Sequence, residues 1–162
     1  MKRVLILPVL ILLICFTAFA QDETKFAIGL GPEWNMNSRE NFALGGALSF
    51  DYNLPVSVAP FAVGVTASVS SNFSDGVVME TMGHFRWYFL GKLHSNRFSG
   101  LFVQADLGAL LIFEDSETTP LFSGGLRAGF RLPLGKLFFI EPYGRVGYPF
   151  MFGFGLMAGV RF

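Results

Sequence analysis

Ten charged side chains recur at alternate positions within otherwise apolar or small-residue stretches. Five are acidic: Glu33, Asp51, Glu80, Asp106 and Glu141. Five are basic: Arg86, Arg127, Arg131, Arg145 and Arg161. His84, Gln104, Tyr88 and Tyr143 share their phase. In a narrow, water-poor interior such charges must pair, because a buried unpaired charge costs several kcal/mol. Arginine suits this, since its planar fork bonds two carboxylates. Adjacent segments would bring Arg86 near Asp106 and Arg127 near Glu141. The equal count favours a structural network that fills its space, with a narrow polar conduit for ions or small solutes as the alternative. Other chemistries find little support. Two His and one Cys offer no cluster with metal-ligand spacing. The pairs Gly29/Gly31 and Gly153/Gly155 lie inside alternating segments, not between a strand and a helix, so they do not read as a phosphate loop. Small inward residues in a tight interior explain them better. No catalytic residue, metal or cofactor is expected.

The elements that would carry these residues have period two. From Val77 to Phe89 the odd positions are Val77, Met79, Thr81, Gly83, Phe85, Trp87 and Phe89. The even ones are Val78, Glu80, Met82, His84, Arg86 and Tyr88, which hold every charge. Successive strand side chains point to opposite faces, so this is a strand with two chemically different sides. Seven other segments split the same way. Near the start, Phe26, Ile28, Leu30 and Trp34 oppose Ala27, Gly29, Gly31 and Glu33. At the end, Phe152, Phe154, Leu156, Ala158, Val160 and Phe162 oppose Gly153, Gly155, Gly159 and Arg161. Turn-rich pieces separate them: Asn35–Asn41, Asn53–Pro55, Ser70–Gly76, Gly91–Arg97, Glu114–Pro120, Pro133–Lys136 and Pro149–Met151. A strand of ~10 residues tilted by ~40° covers ~25 Å, the apolar height of an outer-membrane barrel. The expected fold is all-β: an eight-stranded antiparallel up-and-down transmembrane β-barrel, a closed sheet without free edges.

The first twenty residues read as an address. Met1-Lys2-Arg3 is positive, Val4 to Phe16 is an apolar run, and Thr17-Ala18-Phe19-Ala20 supplies small residues before Gln21. This is the pattern of a secretory signal peptide over residues 1–20, cut between Ala20 and Gln21. The barrel domain would then span 21–162. The single Cys15 leaves with the leader, so no disulfide scaffold remains. Lysine and arginine number 12, as do aspartate and glutamate, which argues against nucleic-acid binding. With 52% hydrophobic residues, the composition excludes a disordered chain.

Two barrels share this alternation. A soluble exported lipocalin-like barrel would put the apolar face inside, around a hydrophobic ligand. A membrane barrel reverses it. The polar face here is mostly Gly, Ala and Ser with one or two charges per strand, too sparse for a solvated surface. The other face is crowded with Phe, Leu and Val, an aggregating surface in water. Lys25, Lys92 and Lys136 fall at one end of the path. Arg39, Glu40, Asp75, Glu114, Asp115 and Glu117 fall at the other.

On its alternating strands, its final segment MFGFGLMAGVRF and its terminal Phe162, the chain from Lys25 to Phe162 resembles small bacterial outer-membrane β-barrels of the eight-stranded OmpA/OmpX/OmpW-like type. The resemblance implies residence in the cell outer membrane, contact with its lipid, and an assembly machinery that reads Phe162. It also implies periplasmic termini and outward acidic loops. OmpW-like barrels suggest the narrow-conduit alternative. Lipid deacylases of barrel type use a His, a Ser two residues on and a carboxylate. Here His84 is followed by Phe85-Arg86 and His94 by Ser95, so the spacing fails. Trp34, Trp87, Tyr88 and Tyr148 are candidates for interfacial aromatic girdles.

Overall fold

A computed structural model describes residues 24–37, 42–55, 59–71, 76–89, 97–114 and 117–162. The expected leader, with Ala20 and Gln21, lies outside these residues, as do His94, Lys92, Arg39, Glu40, Asp75 and Asp115. Eight strands follow in chain order: β1 (Phe26–Asn37), β2 (Phe42–Asn53), β3 (Phe61–Ser71), β4 (Val77–Tyr88), β5 (Gly100–Glu114), β6 (Glu117–Leu134), β7 (Phe138–Tyr148) and β8 (Phe150–Arg161). Each pairs antiparallel with its sequence neighbour, and β1 closes on β8. The fold is thus an all-β, closed, eight-stranded antiparallel barrel, with no helix among the described residues.

Closure is tied at the final residue. The backbone N–H groups of Lys25 and Phe26 donate to the Phe162 carbonyl, and the Phe162 N–H donates to Phe26 O. That end, here the lower end, also holds the β2–β3, β4–β5 and β6–β7 links. There Pro60 O and Leu137 O accept from Tyr88 N and Arg161 N.

Alternation in sequence becomes alternation in burial. In β2, Phe42, Leu44, Leu48 and Phe50 are exposed on the outer wall, while Ala43, Ala47, Ser49 and Asp51 are buried in the lumen. In β4, Met79, Phe85 and Trp87 face out and Glu80, His84, Arg86 and Tyr88 face in. The expected girdle role fails for Tyr88, which is buried because it shares the phase of Arg86. Trp34, Trp87 and Tyr148 are on the outer wall. Trp34 contacts Phe42 and Phe154 towards the upper end, and Trp87 contacts Phe61 and Phe89 at the lower end.

The largest departure from expectation is at Glu114–Pro120, read from sequence as a loop. The β5–β6 ladder runs through it, pairing Glu114 with Glu117 and Leu111 with Pro120. The β6–β7 ladder begins only at Gly124↔Tyr148, so residues 117–123 are bordered by β5 alone. Proline lacks a ladder donor and is tolerated on such an edge. Two more expected turns are shorter than the sequence suggests. β6 continues through Pro133 to Leu134, and Pro149 alone separates β7 from β8, so Met151 belongs to β8. β1 likewise runs to Asn37, past the expected turn start at Asn35.

Candidate functional site

The barrel encloses a continuous charged network. Four strands build its lower part. Asp51 of β2, Arg86 of β4, Arg131 of β6 and Glu141 of β7 meet across the lumen. Arg131 donates from Nη2 to Asp51 Oδ2 (2.6 Å) and from Nε to Glu141 Oε2 (2.5 Å). Arg86 Nη1 reaches Glu141 Oε2 at 2.9 Å and Asp51 Oδ2 at 3.3 Å. Each arginine thus spans the same two carboxylates, as its fork geometry allows. The guanidinium planes also lie on aromatic rings, Arg86 over Phe102 and Arg131 over Phe139, both at 4.2 Å. His84 Nε2 lies 2.8 Å from Asp51 Oδ1, and its Nδ1 lies 3.1 Å from Thr66 Oγ1.

The upper part centres on Arg145. Its fork holds Glu80 in bidentate fashion, Nη1 to Oε2 at 2.7 Å and Nη2 to Oε1 at 3.0 Å, and Nη1 also reaches Glu33 Oε1 at 3.0 Å. Tyr143 donates its hydroxyl to Glu33 Oε2 (2.7 Å), Asn35 Nδ2 donates to Oε1 (2.9 Å), and Ser123 donates to Glu80.

Arg127 joins the halves. It lies 3.7 Å from Glu33 and 3.6 Å from Asp106, over the Tyr143 ring at 4.4 Å, without a side-chain hydrogen bond of its own. Asp106 connects downwards through Gln104 Nε2 (2.5 Å), and Gln104 Oε1 accepts from Arg86 Nε (2.7 Å).

All eleven expected lumen residues are buried, but not all join the network. Arg161 is the exception. It caps the lower end, donating to the backbone carbonyls of Gly135 (2.7 Å) and Lys136 (3.0 Å) rather than to a carboxylate. The expected balance of five against five is therefore four arginines against five carboxylates, with the His84 ring beside Asp51.

Two expected pairings are also corrected. The register sets Arg86 opposite Gln104 and His84 opposite Asp106. It sets Arg127 opposite Arg145, while Glu141 pairs with Arg131 and Arg86. Long arginine side chains reach across the barrel as well as to the neighbouring strand, so sequence-adjacent segments do not fix the partners.

Glycine makes room for this filling. A Cβ on Gly64 would lie 2.6 Å from His84 Nε2, and one on Gly129 would lie 2.6 Å from Phe102 Cζ. A Cβ on Gly155 would run into the Tyr143 ring and hydroxyl. The interior also holds Phe102, Leu110 and Met157, which sequence reasoning did not single out. Their phase gave them away: Phe102 stands two residues before Gln104, and Met157 between Gly155 and Gly159.

The carboxylates are engaged by guanidinium, hydroxyl or amide donors, and among the described residues no group of three or more His, Cys, Asp or Glu side chains is placed to hold a metal ion.

No protein-family model and no curated protein matches this sequence. Among solved structures, it is similar to the one titled "Solution NMR structure of de novo designed TMB2.3". That match has 16% sequence identity and a TM-score of 0.49, and covers 87% of this chain and 97% of the other.

Proposed function

We propose that the chain is an integral membrane β-barrel of the bacterial outer membrane, a structural or surface barrel whose salt-bridged interior blocks the passage of solutes. One observation carries the reading: the polarity of the wall is inverted relative to a water-soluble protein. Leu107 is 64% exposed, Leu30 63%, Phe122 58% and Phe138 56%, while Arg86 and Glu141 are 0% exposed. Lipid stabilises such a wall, whereas water would drive it to aggregate. The membrane lipid and the outer-membrane assembly machinery are its partners in this reading, with no catalytic or cofactor role.

The test is to refold the chain from Gln21 onward into lipid vesicles and then measure current across a planar bilayer. We expect vesicle insertion and no steady current. A steady wild-type current altered by Arg86→Ala or Glu141→Ala would replace the plug with a narrow conduit. A folded chain that stays soluble without detergent and ignores vesicles would replace the membrane reading with a soluble exported barrel.

A further inference from the structure

The charged network is not the only thing that fills the lower lumen. β4 ends at Tyr88 and β5 begins at Gly100. The two residues just before β5 do not lie against the outer wall. Phe98 is 4% exposed and Ser99 0%. Phe98 packs its ring edge-on against Tyr88, with centroids 6.0 Å apart and planes at 84°. Tyr88 in turn contacts Phe102 at 5.9 Å and accepts from Arg86 Nη1 at 3.2 Å. Phe98, Tyr88 and Phe102 belong to one apolar cluster with Ala47, Ala62, Tyr143 and Met157. These residues come from six different strands and one link, so the cluster crosses the lumen instead of lining one side.

We propose that Phe98 is a stopper for the lower mouth, a second barrier in series with the salt-bridge network and of different chemistry. It is contributed by a link, so the strands can close the barrel without it. Its location beside Tyr88 puts an apolar ring between the lower opening and the Arg86–Arg131–Asp51–Glu141 cluster. Excluding water there strengthens those ion pairs, because their attraction rises as the local dielectric falls. Hydrated solutes arriving from the lower side meet Phe98, with the Arg97 guanidinium over its ring at 5.0 Å, before they meet the Arg86–Arg131–Asp51–Glu141 cluster.

The stopper rests on the reading of the lumen as blocked, and the two fail differently. Bilayer current reports the whole path, while thiol labelling reports the lower mouth alone. From Gln21 onward the chain has no cysteine, so an introduced one is a unique probe. Ala62 faces the lumen in the Phe98 cluster and is 0% exposed; Ala43 faces the lumen towards the upper end. Ala62→Cys and Ala43→Cys are made with and without Phe98→Ala, folded in detergent, and labelled with a small charged methanethiosulfonate. The expected result is slow labelling of Cys at 62, about tenfold faster labelling when Phe98 is Ala, and slow labelling again in Phe98→Leu, since protection scales with the population of the open form. Labelling at 43 should not change. Fast labelling at 62 with Phe98 present, or no acceleration without it, would overturn the stopper. Equal acceleration at 43 would overturn it too, by showing that the substitution loosens the whole barrel.

Discussion

At the scale of residues, the lumen is a fitting problem between long charged side chains and glycines. Tyr143 shows it most clearly. Its hydroxyl donates to Glu33, its ring supports Arg127, and the space its ring occupies exists because Gly155 opposite has no Cβ. The three atoms that a Cβ at 155 would approach most closely all belong to the Tyr143 side chain. Gly155→Ala should therefore destabilise the barrel by roughly 1–3 kcal/mol, the usual range for overpacking a filled core. The check is a double-mutant cycle with Tyr143→Ala in urea unfolding. Because the two sites share one clash, the double substitution should cost less than the sum of the singles by about 0.5–3 kcal/mol. Strict additivity would place the strain in the backbone and not in the ring. The glycines were legible from sequence as small inward residues. Their specific partners were not, since each partner is set by register and by the reach of a side chain from across the lumen.

At the scale of elements, strand phase was readable and strand ends were not. The alternation at Val77–Phe89 assigned each face of β4 correctly, including the buried Glu80, His84 and Arg86. The Thr118-Thr119-Pro120 stretch looked like a turn because proline is excluded from the middle of a sheet. Here it sits on a segment bordered only by β5, where a missing donor breaks no ladder on the open side. Sequence also gave the charges but not their arrangement, as Arg161 shows by capping backbone carbonyls at the lower end. The β6 strand thus has two regimes. From Gly124 to Gly129 it is paired on both sides, and above Gly124 on one. Amide hydrogen exchange should follow that boundary: amides at 125–129 protected to near the global limit, those at 118–122 exchanging much sooner, because edge segments open locally. Uniform protection along β6 would mean that its upper edge is covered by something else.

At the scale of the molecule, the inverted wall makes a prediction that separates lipid from water as the surrounding solvent. Leu107 lies midway along β5, flanked in register by Gly83 and Gly124, and projects outward. Leu134 lies at the lower end of β6, opposite Phe138, and also faces out. In a bilayer, depth decides the cost of a charge on this face. Leu107→Arg should destabilise by about 2–4 kcal/mol near the midplane and Leu134→Arg by only about 0–1 kcal/mol near the interface. Reversible unfolding in vesicles, followed through the outward tryptophans Trp34 and Trp87, measures both. In water the same two substitutions at exposed positions would each fall within about 0.5 kcal/mol of wild type, and solubility would improve. A depth-dependent difference between Leu107→Arg and Leu134→Arg is therefore the expected signature of a membrane wall. Two small and equal effects would instead assign that wall to water, and the filled, salt-bridged lumen would then be the core of a soluble protein whose apolar surface needs another covering.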